Sequence, residues 1–218
     1  MGLIENESFE QSVAFVSLAD GKFRQRSMNE GEGKSRVLSN GKTVWEKEYT
    51  SIEGYLREIA CNTEGYENAE QIVLTFLDKD IKVIFKINTD SGIFRSFMKR
   101  LPNLEPSKMV KLSSFKSEYL GKEYTNIAVR QNEQTVQDAF KDVTLPESKE
   151  VTFKGKQYKD FEEQKEFLKL EIDKYNEKVN GFEPTFEVVH PTASDIPVPT
   201  QKDEPVQYPA SGEDDLPF

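Results

Sequence analysis

The sequence predicts a mainly β protein: an OB-fold-like antiparallel barrel with a short helix, a C-terminal helix and a disordered acidic tail. Three observations carry this. Short apolar or alternating runs recur over the first 130 residues, joined by turn pairs such as Asp20-Gly21 and Asn40-Gly41. One long helical pattern appears, and it comes late, so no strand–helix–strand rhythm announces a parallel sheet. Seven of the ten prolines fall after residue 182, where a chain this poor in apolar residues builds no core. The expected organisation is a binding domain over 1–150, a helix packed on the barrel over 151–181 and a tail over 182–218.

Residues 12–18 alternate and read as a strand. Asp20-Gly21 suits a type I′ turn, which needs positive φ at both central positions. The return strand, 22–27, sends Phe23 and Gln25 one way and Lys22, Arg24 and Arg26 the other. Cations crowded on one face need water or anions, and a phosphate chain supplies anions. Residues 29–35 form a glycine-rich charged loop. Its Gly33-Lys34-Ser35 triplet is not a phosphate-binding P-loop, because the first glycine of that motif would fall at Met28. Lys34 and Arg36 instead border a candidate groove.

Asn40-Gly41 joins 35–39 to 43–50. On the second strand Trp45, Lys47 and Tyr49 share a face. Rings at this spacing can stack bases at about 1–3 kcal/mol each, and the lysine can answer a phosphate. Residues 51–61 continue extended, with Tyr55 and Arg57 opposite Leu56 and Ala60, and Gly54 marks a bend. Residues 71–77 and 81–87 are the most apolar strands. Asp78-Lys79-Asp80 between them reads as a tight turn rather than a metal site. Ile81, Val83, Phe85 and Ile87 face the core, leaving Lys82 and Lys86 outside.

Asp90 or Ser91 caps a short helix carrying Ile93, Phe94, Phe97, Met98 and Leu101, which Pro102 stops. Strands follow at 109–115 and 123–130, with Lys111, Phe115, Tyr124 and Arg130 on their polar face. Residues 136–140 suggest a helical turn, and 151–153 an edge strand. Residues 160–179 read as a helix: Asp160 and Glu163 form a capping-box pattern, and Phe161, Leu168, Ile172, Tyr175 and Val179 make one stripe. The stripe packs on the barrel or, alternatively, forms a self-association seam, so a homo-oligomer is possible.

Charge is divided unevenly. The chain carries −10 in total, yet residues 180–218 hold eight acids against one base, leaving −3 for 1–179. Residues 20–130 hold 19 bases and 16 acids. A mildly basic body with an acidic tail fits a nucleic-acid binder. Cys61 and His190 are single, which leaves no Cys/His constellation for nucleophilic or zinc chemistry. No catalytic residue, metal or cofactor is expected. Nothing approaches the ~20 apolar residues of a membrane span, and no membrane partner is expected. The expected compartment is the cytoplasm.

The chain ends Gly212-Glu213-Asp214-Asp215-Leu216-Pro217-Phe218. The match of Asp214, Asp215, Leu216, Pro217 and Phe218 resembles the acidic C-terminal tip of bacterial and phage single-stranded DNA-binding proteins. That resemblance implies an OB-fold that coats single strands with little sequence preference, in a bacterial or phage-infected cell. It also implies a tip that recruits replication and repair enzymes (polymerase, primase, helicase or nuclease). The nucleic-acid-binding candidates are then Arg24, Arg26, Lys34, Arg36, Trp45, Lys47, Tyr49, Tyr55, Arg57, Lys82, Lys86, Lys111, Phe115 and Tyr124. The competing readings are an acidic adaptor or DNA mimic, which the overall charge favours, and a metal-dependent nuclease, for which no convergent carboxylate cluster is visible.

Overall fold

Period-two patterning decides most of the molecule. The computed structural model describes residues 12–182, apart from 28, 39, 64–68, 80, 120 and 154–155. Twelve strands appear among them: β1 Ser12–Ala19, β2 Lys22–Arg26, β3 Lys34–Val37, β4 Thr43–Tyr49, β5 Ser51–Asn62, β6 Gln71–Asp78, β7 Ile81–Asn88, β8 Val110–Tyr119, β9 Lys122–Gln131, β10 Gln134–Thr135, β11 Lys149–Phe153 and β12 Lys156–Asp160. Helix α1 is Gly92–Met98, followed by a 3-10 turn at Leu101–Asn103, and α2 is Glu162–Asn180. The expected tail over 182–218, with its recruiting tip, lies outside the described residues from 183 on.

Ten strands form one sheet in the order β10-β9-β8-β5-β6-β7-β1-β2-β4-β3. Four strands separate β4 from β5 in that order, yet only Thr50 separates them in sequence. The sheet therefore curls until the two meet. The β1–β2 turn also reaches the far side: the Gly21 N–H donates to Thr125 Oγ1 at 3.1 Å, and Ser114 Oγ donates to the Gly21 carbonyl at 2.9 Å. No ladder among the described residues closes the circle, so the structure shows a mainly β architecture built on an open, curled sheet. The all-antiparallel expectation fails at one seam, where β1 runs parallel to β7 with Val16 opposite Phe85. The long crossover that a parallel pair requires is made here by strands rather than by a helix, which hid it from the sequence pattern.

The turns explain the hairpins. Asp20 (φ 52°) and Gly21 (φ 72°) make the two-residue link as expected. Asn40-Gly41 instead belongs to a longer loop, closed by Leu38 N–H to Lys42 C=O (2.9 Å) and Gly41 N–H to Leu38 C=O (2.9 Å). A hairpin missed from sequence turns at Asn132 (φ 49°) and Glu133 (φ 60°), because glutamate rarely takes positive φ. Gly54 sits where β5 changes partner, from Val110 of β8 to β6 at Tyr55–Leu77. A Cβ there would lie 2.9 Å from the Leu77 carbonyl oxygen, so glycine is what lets the strands approach.

The core joins Phe23, Leu56, Ile59, Ile72, Leu74, Phe76, Phe85 and Ile87 to α1 (Phe94, Phe97, Met98) and α2 (Leu168, Ile172, Tyr175, Val179). Ile81, expected inside, is exposed at the strand end. α2 is fastened as well as packed. Tyr175 Oη donates to the Leu56 carbonyl at 3.0 Å. The Asn176 side chain takes the Ile59 N–H (3.1 Å) and donates to the Ile59 carbonyl (2.8 Å). These contacts lie beside the Leu56/Glu58 irregularity, where β5 slips register against β6. The stripe thus serves packing within one unit, and Phe161 lies at its start as the residue before Glu162, with Arg95 4.1 Å over its ring. The helix begins at Glu162, whose N–H donates to Asp160 Oδ1 at 2.9 Å, in place of the Asp160/Glu163 capping box. Two local expectations are corrected. Residues 136–140 are not helical, and 149–153 pair with 156–160 as a separate hairpin rather than as an edge of the main sheet.

Candidate nucleic-acid interface

Two surfaces gather the candidate residues. The first is the β8–β9 ribbon. β5 covers β8 only through Val110–Ser113, so from Ser114 outward the ribbon stands beyond β5. Alternation sorts its side chains. One face carries Lys111, Ser113, Phe115, Ser117 and Tyr119, with Arg130, Ala128, Asn126, Tyr124 and Lys122 directly opposite. Phe115, Tyr119 and Tyr124 are 46%, 67% and 45% exposed. Both ribbon acids, Glu118 and Glu123, face each other on the other side, where Lys116 bonds Glu123 at 2.8 Å. That other side also supplies the Ser114 and Thr125 contacts to Gly21. At the ribbon's base Lys111 lies 3.4 Å from Glu53 and 3.7 Å from Glu133, in a recess of about 310 Å³ shared with Tyr55, Lys108 and Arg130. Lys111, Phe115 and Tyr124 were legible in the sequence. Tyr119 and Lys122 lie outside the expected strands, because β8 runs on past 115 and β9 begins before 123.

The second surface is an open cleft of about 1220 Å³ whose lining includes Phe15, Arg24, Arg26, Glu32, Arg36, Glu46, Lys47 and Lys86. Its charges are largely answered within the protein. β4 lies between β2 and β3, and its acids are shared by both neighbours. Arg36 grips Glu46 with two bonds (3.0 and 2.7 Å), Lys34 bonds Glu48 at 2.6 Å, and Arg24 lies 2.8 Å from Asp20 and 3.6 Å from Glu48. The Arg36 bond holds the Glu46 carboxyl below its ordinary range, and the Lys34 bond does the same for Glu48. Arg26 and Lys86 have no ion pair among the described residues. Phe15, 63% exposed in mid-strand, was missed by the sequence reading. The clue was available: β1 is apolar on both faces, with Val13 and Phe15 opposite Ala14, Val16 and Leu18. Lys82 lies beside this surface, opposite Val13.

The aromatic set expected on β4 and β5 does not form one continuous platform. Trp45, Lys47 and Tyr49 do share a face, and the pairs Phe23–Tyr49 and Gln25–Lys47 make it the face on which Phe23 is fully buried. Trp45 is half-buried, Tyr49 Oη donates to Gln25 Oε1 at 3.1 Å, and Lys47 bonds Glu32 at 2.8 Å. Tyr55 stands 6.4 Å from the Phe182 ring, and Arg57 donates to the Phe182 carbonyl, which draws both toward the end of α2.

Among the described residues no group of three His, Cys, Asp or Glu is placed to hold a metal ion. No helix among them is long and apolar enough to cross a membrane. No protein-family model, curated protein or solved structure matches the chain.

Proposed function

We propose that this protein is a non-enzymatic single-stranded DNA-binding protein, which lays a strand across the ribbon and the cleft with little sequence preference. The observation that carries the reading is the ribbon face, where three exposed rings lie among Lys111, Lys122 and Arg130 while both ribbon acids point away. Every base has a π-face, so ring stacking is sequence-tolerant, and the cations answer the backbone. In this reading the curled sheet is an OB-like barrel whose circle is completed by the bend at Thr50 rather than by a ladder. The test is fluorescence anisotropy of labelled oligo-dT against duplex DNA of equal length. Tight single-strand binding with much weaker duplex binding is expected. Equal affinity for both overturns it in favour of general DNA binding, and no binding at low salt overturns it and returns the acidic-adaptor reading.

The tail completes the proposal. Asp214, Asp215, Leu216, Pro217 and Phe218 offer a basic, apolar-floored pocket one ring and several carboxylates. Deleting 212–218 should leave oligo-dT affinity intact or slightly tighter at low salt while abolishing recruitment of replication and repair enzymes. Phe218→Ala alone should weaken that recruitment by about 2 kcal/mol or more, the usual cost of a buried aromatic anchor. Pull-down from a replication-competent extract, with oligo-dT binding run in parallel, separates the two effects.

A further inference from the structure

Glu32 projects into the cleft on a short loop between two glycines, Gly31 (φ 87°) and Gly33 (φ 93°). Three donors from outside that triplet converge on its carboxylate. Lys47 Nζ lies 2.8 Å from Oε2, Ser27 Oγ donates to Oε2 at 3.2 Å, and Asn29 Nδ2 donates to Oε1 at 3.1 Å. Yet the group is not buried. The Glu32 and Lys47 side chains are 45% and 47% exposed, and Arg26 and Lys86, which have no ion pair among the described residues, line the same cleft.

We propose that Ser27, Asn29 and Lys47 form a phosphodiester-binding site, and that Glu32 occupies it as an internal stand-in until a nucleic-acid strand enters the cleft. The inference rests on the single-strand-binding reading and adds to it a specific backbone subsite. A carboxylate and a phosphodiester each present two oxygens sharing one negative charge, so the exchange leaves the local charge unchanged. Its cost is low, because exposed ion pairs are individually weak and salt-screened. The flanking glycines allow the backbone to turn Glu32 away without a steric penalty at positive φ. Gly33 is packed on the sheet, where a Cβ would fall 2.4 Å from the Glu46 carbonyl oxygen, whereas a Cβ on Gly31 would meet nothing within 4 Å. The loop is thus held at one end and open at the other. The same three donors hold the Glu32 carboxyl well below its ordinary range, the Lys47 bond contributing most, so at neutral pH it is ionised, as a phosphodiester is.

The test is a double-mutant cycle on the full chain, read by oligo-dT affinity over a series of salt concentrations. Glu32→Gln should tighten binding several-fold and steepen the log K against log salt slope by about 0.7, the value for one added phosphate contact on a single strand. In a Lys47→Gln background that gain should vanish. A gain that persists there means that removing any acid from the cleft suffices, and overturns the site. Unchanged or weaker binding by Glu32→Gln overturns it too. A second readout needs no DNA. Inorganic phosphate should shift the Asn29 side-chain amide resonance saturably in Glu32→Gln and far more weakly in the wild type. Equal response in both proteins overturns the stand-in role. A clear phosphate response without oligo-dT binding keeps the site and sinks the single-strand reading.

Discussion

The ribbon and the cleft carry similar residue types, but they prepare them differently. In the cleft most cations are already held by acids of the protein: Arg36 by Glu46, Arg24 by Asp20 and Glu48, Lys47 by Glu32. An incoming strand must replace one anion by another there, and it gains chiefly from Arg26, Lys86 and released counterions. On the ribbon the acids are turned to the opposite face, and Phe115, Tyr119 and Tyr124 stand bare. A strand gains ring stacking there, and only Lys111 at the base, beside Glu53 and Glu133, must exchange one anion for another. Period-two alternation places the difference. Positions 118 and 123 share one side of the ribbon and 115, 119 and 124 the other, whereas β4 sets Glu46 and Glu48 directly between two cationic neighbours.

The ribbon should therefore read bases and the cleft should read phosphates. The largest effect is expected from Phe115→Ala with Tyr124→Ala. The loss of two stacking rings should weaken oligo-dT binding by about 2–6 kcal/mol, taking ~1–3 per base. The same pair should barely change binding to an abasic strand of equal length. Equal loss on both strands would erase the distinction. A smaller effect is expected from Arg26→Gln with Lys86→Gln, which should flatten the log K against log salt slope by about 1.4, two phosphates at ~0.7 each. Abasic and oligo-dT strands should suffer alike. If this pair spares the abasic strand, the assignments are reversed.

The smallest effect concerns acid. The Glu32 carboxyl is lowered to about 2 from its model-compound value of 4.5, mainly by the Lys47 bond. A depressed folded value means that its contribution is complete above about 4.5 and fades as pH falls toward 2. Acid titration of wild type and Glu32→Gln, followed by the Asn29 side-chain amide resonance, should show a transition in that window in the wild type alone. The same transition in both proteins would remove Glu32 from the loop's anchoring.

How much of this was legible from sequence depends on how local each feature is. Asp20-Gly21 declared its turn because its backbone needs are met within two residues. The α2 stripe declared its buried face because helical period and burial coincide, so Leu168, Ile172, Tyr175 and Val179 were all found. The Asn132-Glu133 turn was not legible, since nothing local recommends glutamate at positive φ; pairing of Gln131 with Gln134 imposes it. Lys111, Phe115 and Tyr124 were picked out by alternation alone. That Tyr119 and Lys122 extend the same face required knowing that the ribbon runs past β5.

Sequence by itself determined most of the element types, the uneven distribution of charge and which side chains share a face along each strand. All follow from periods of 2 and 3.6 and from net charge, quantities read over a few residues. Tertiary structure alone decided which faces meet. It set β1 parallel to β7, bent the chain at Thr50 so that the sheet curls without a closing ladder, and separated Trp45, Lys47 and Tyr49 from Tyr55 and Arg57. It also brought Phe15, Arg26 and Lys86 into one cleft and set Glu32 on Lys47. Those outcomes depend on register and on contacts between distant segments, where the free energy lies in pairs of residues rather than in any single stretch of chain.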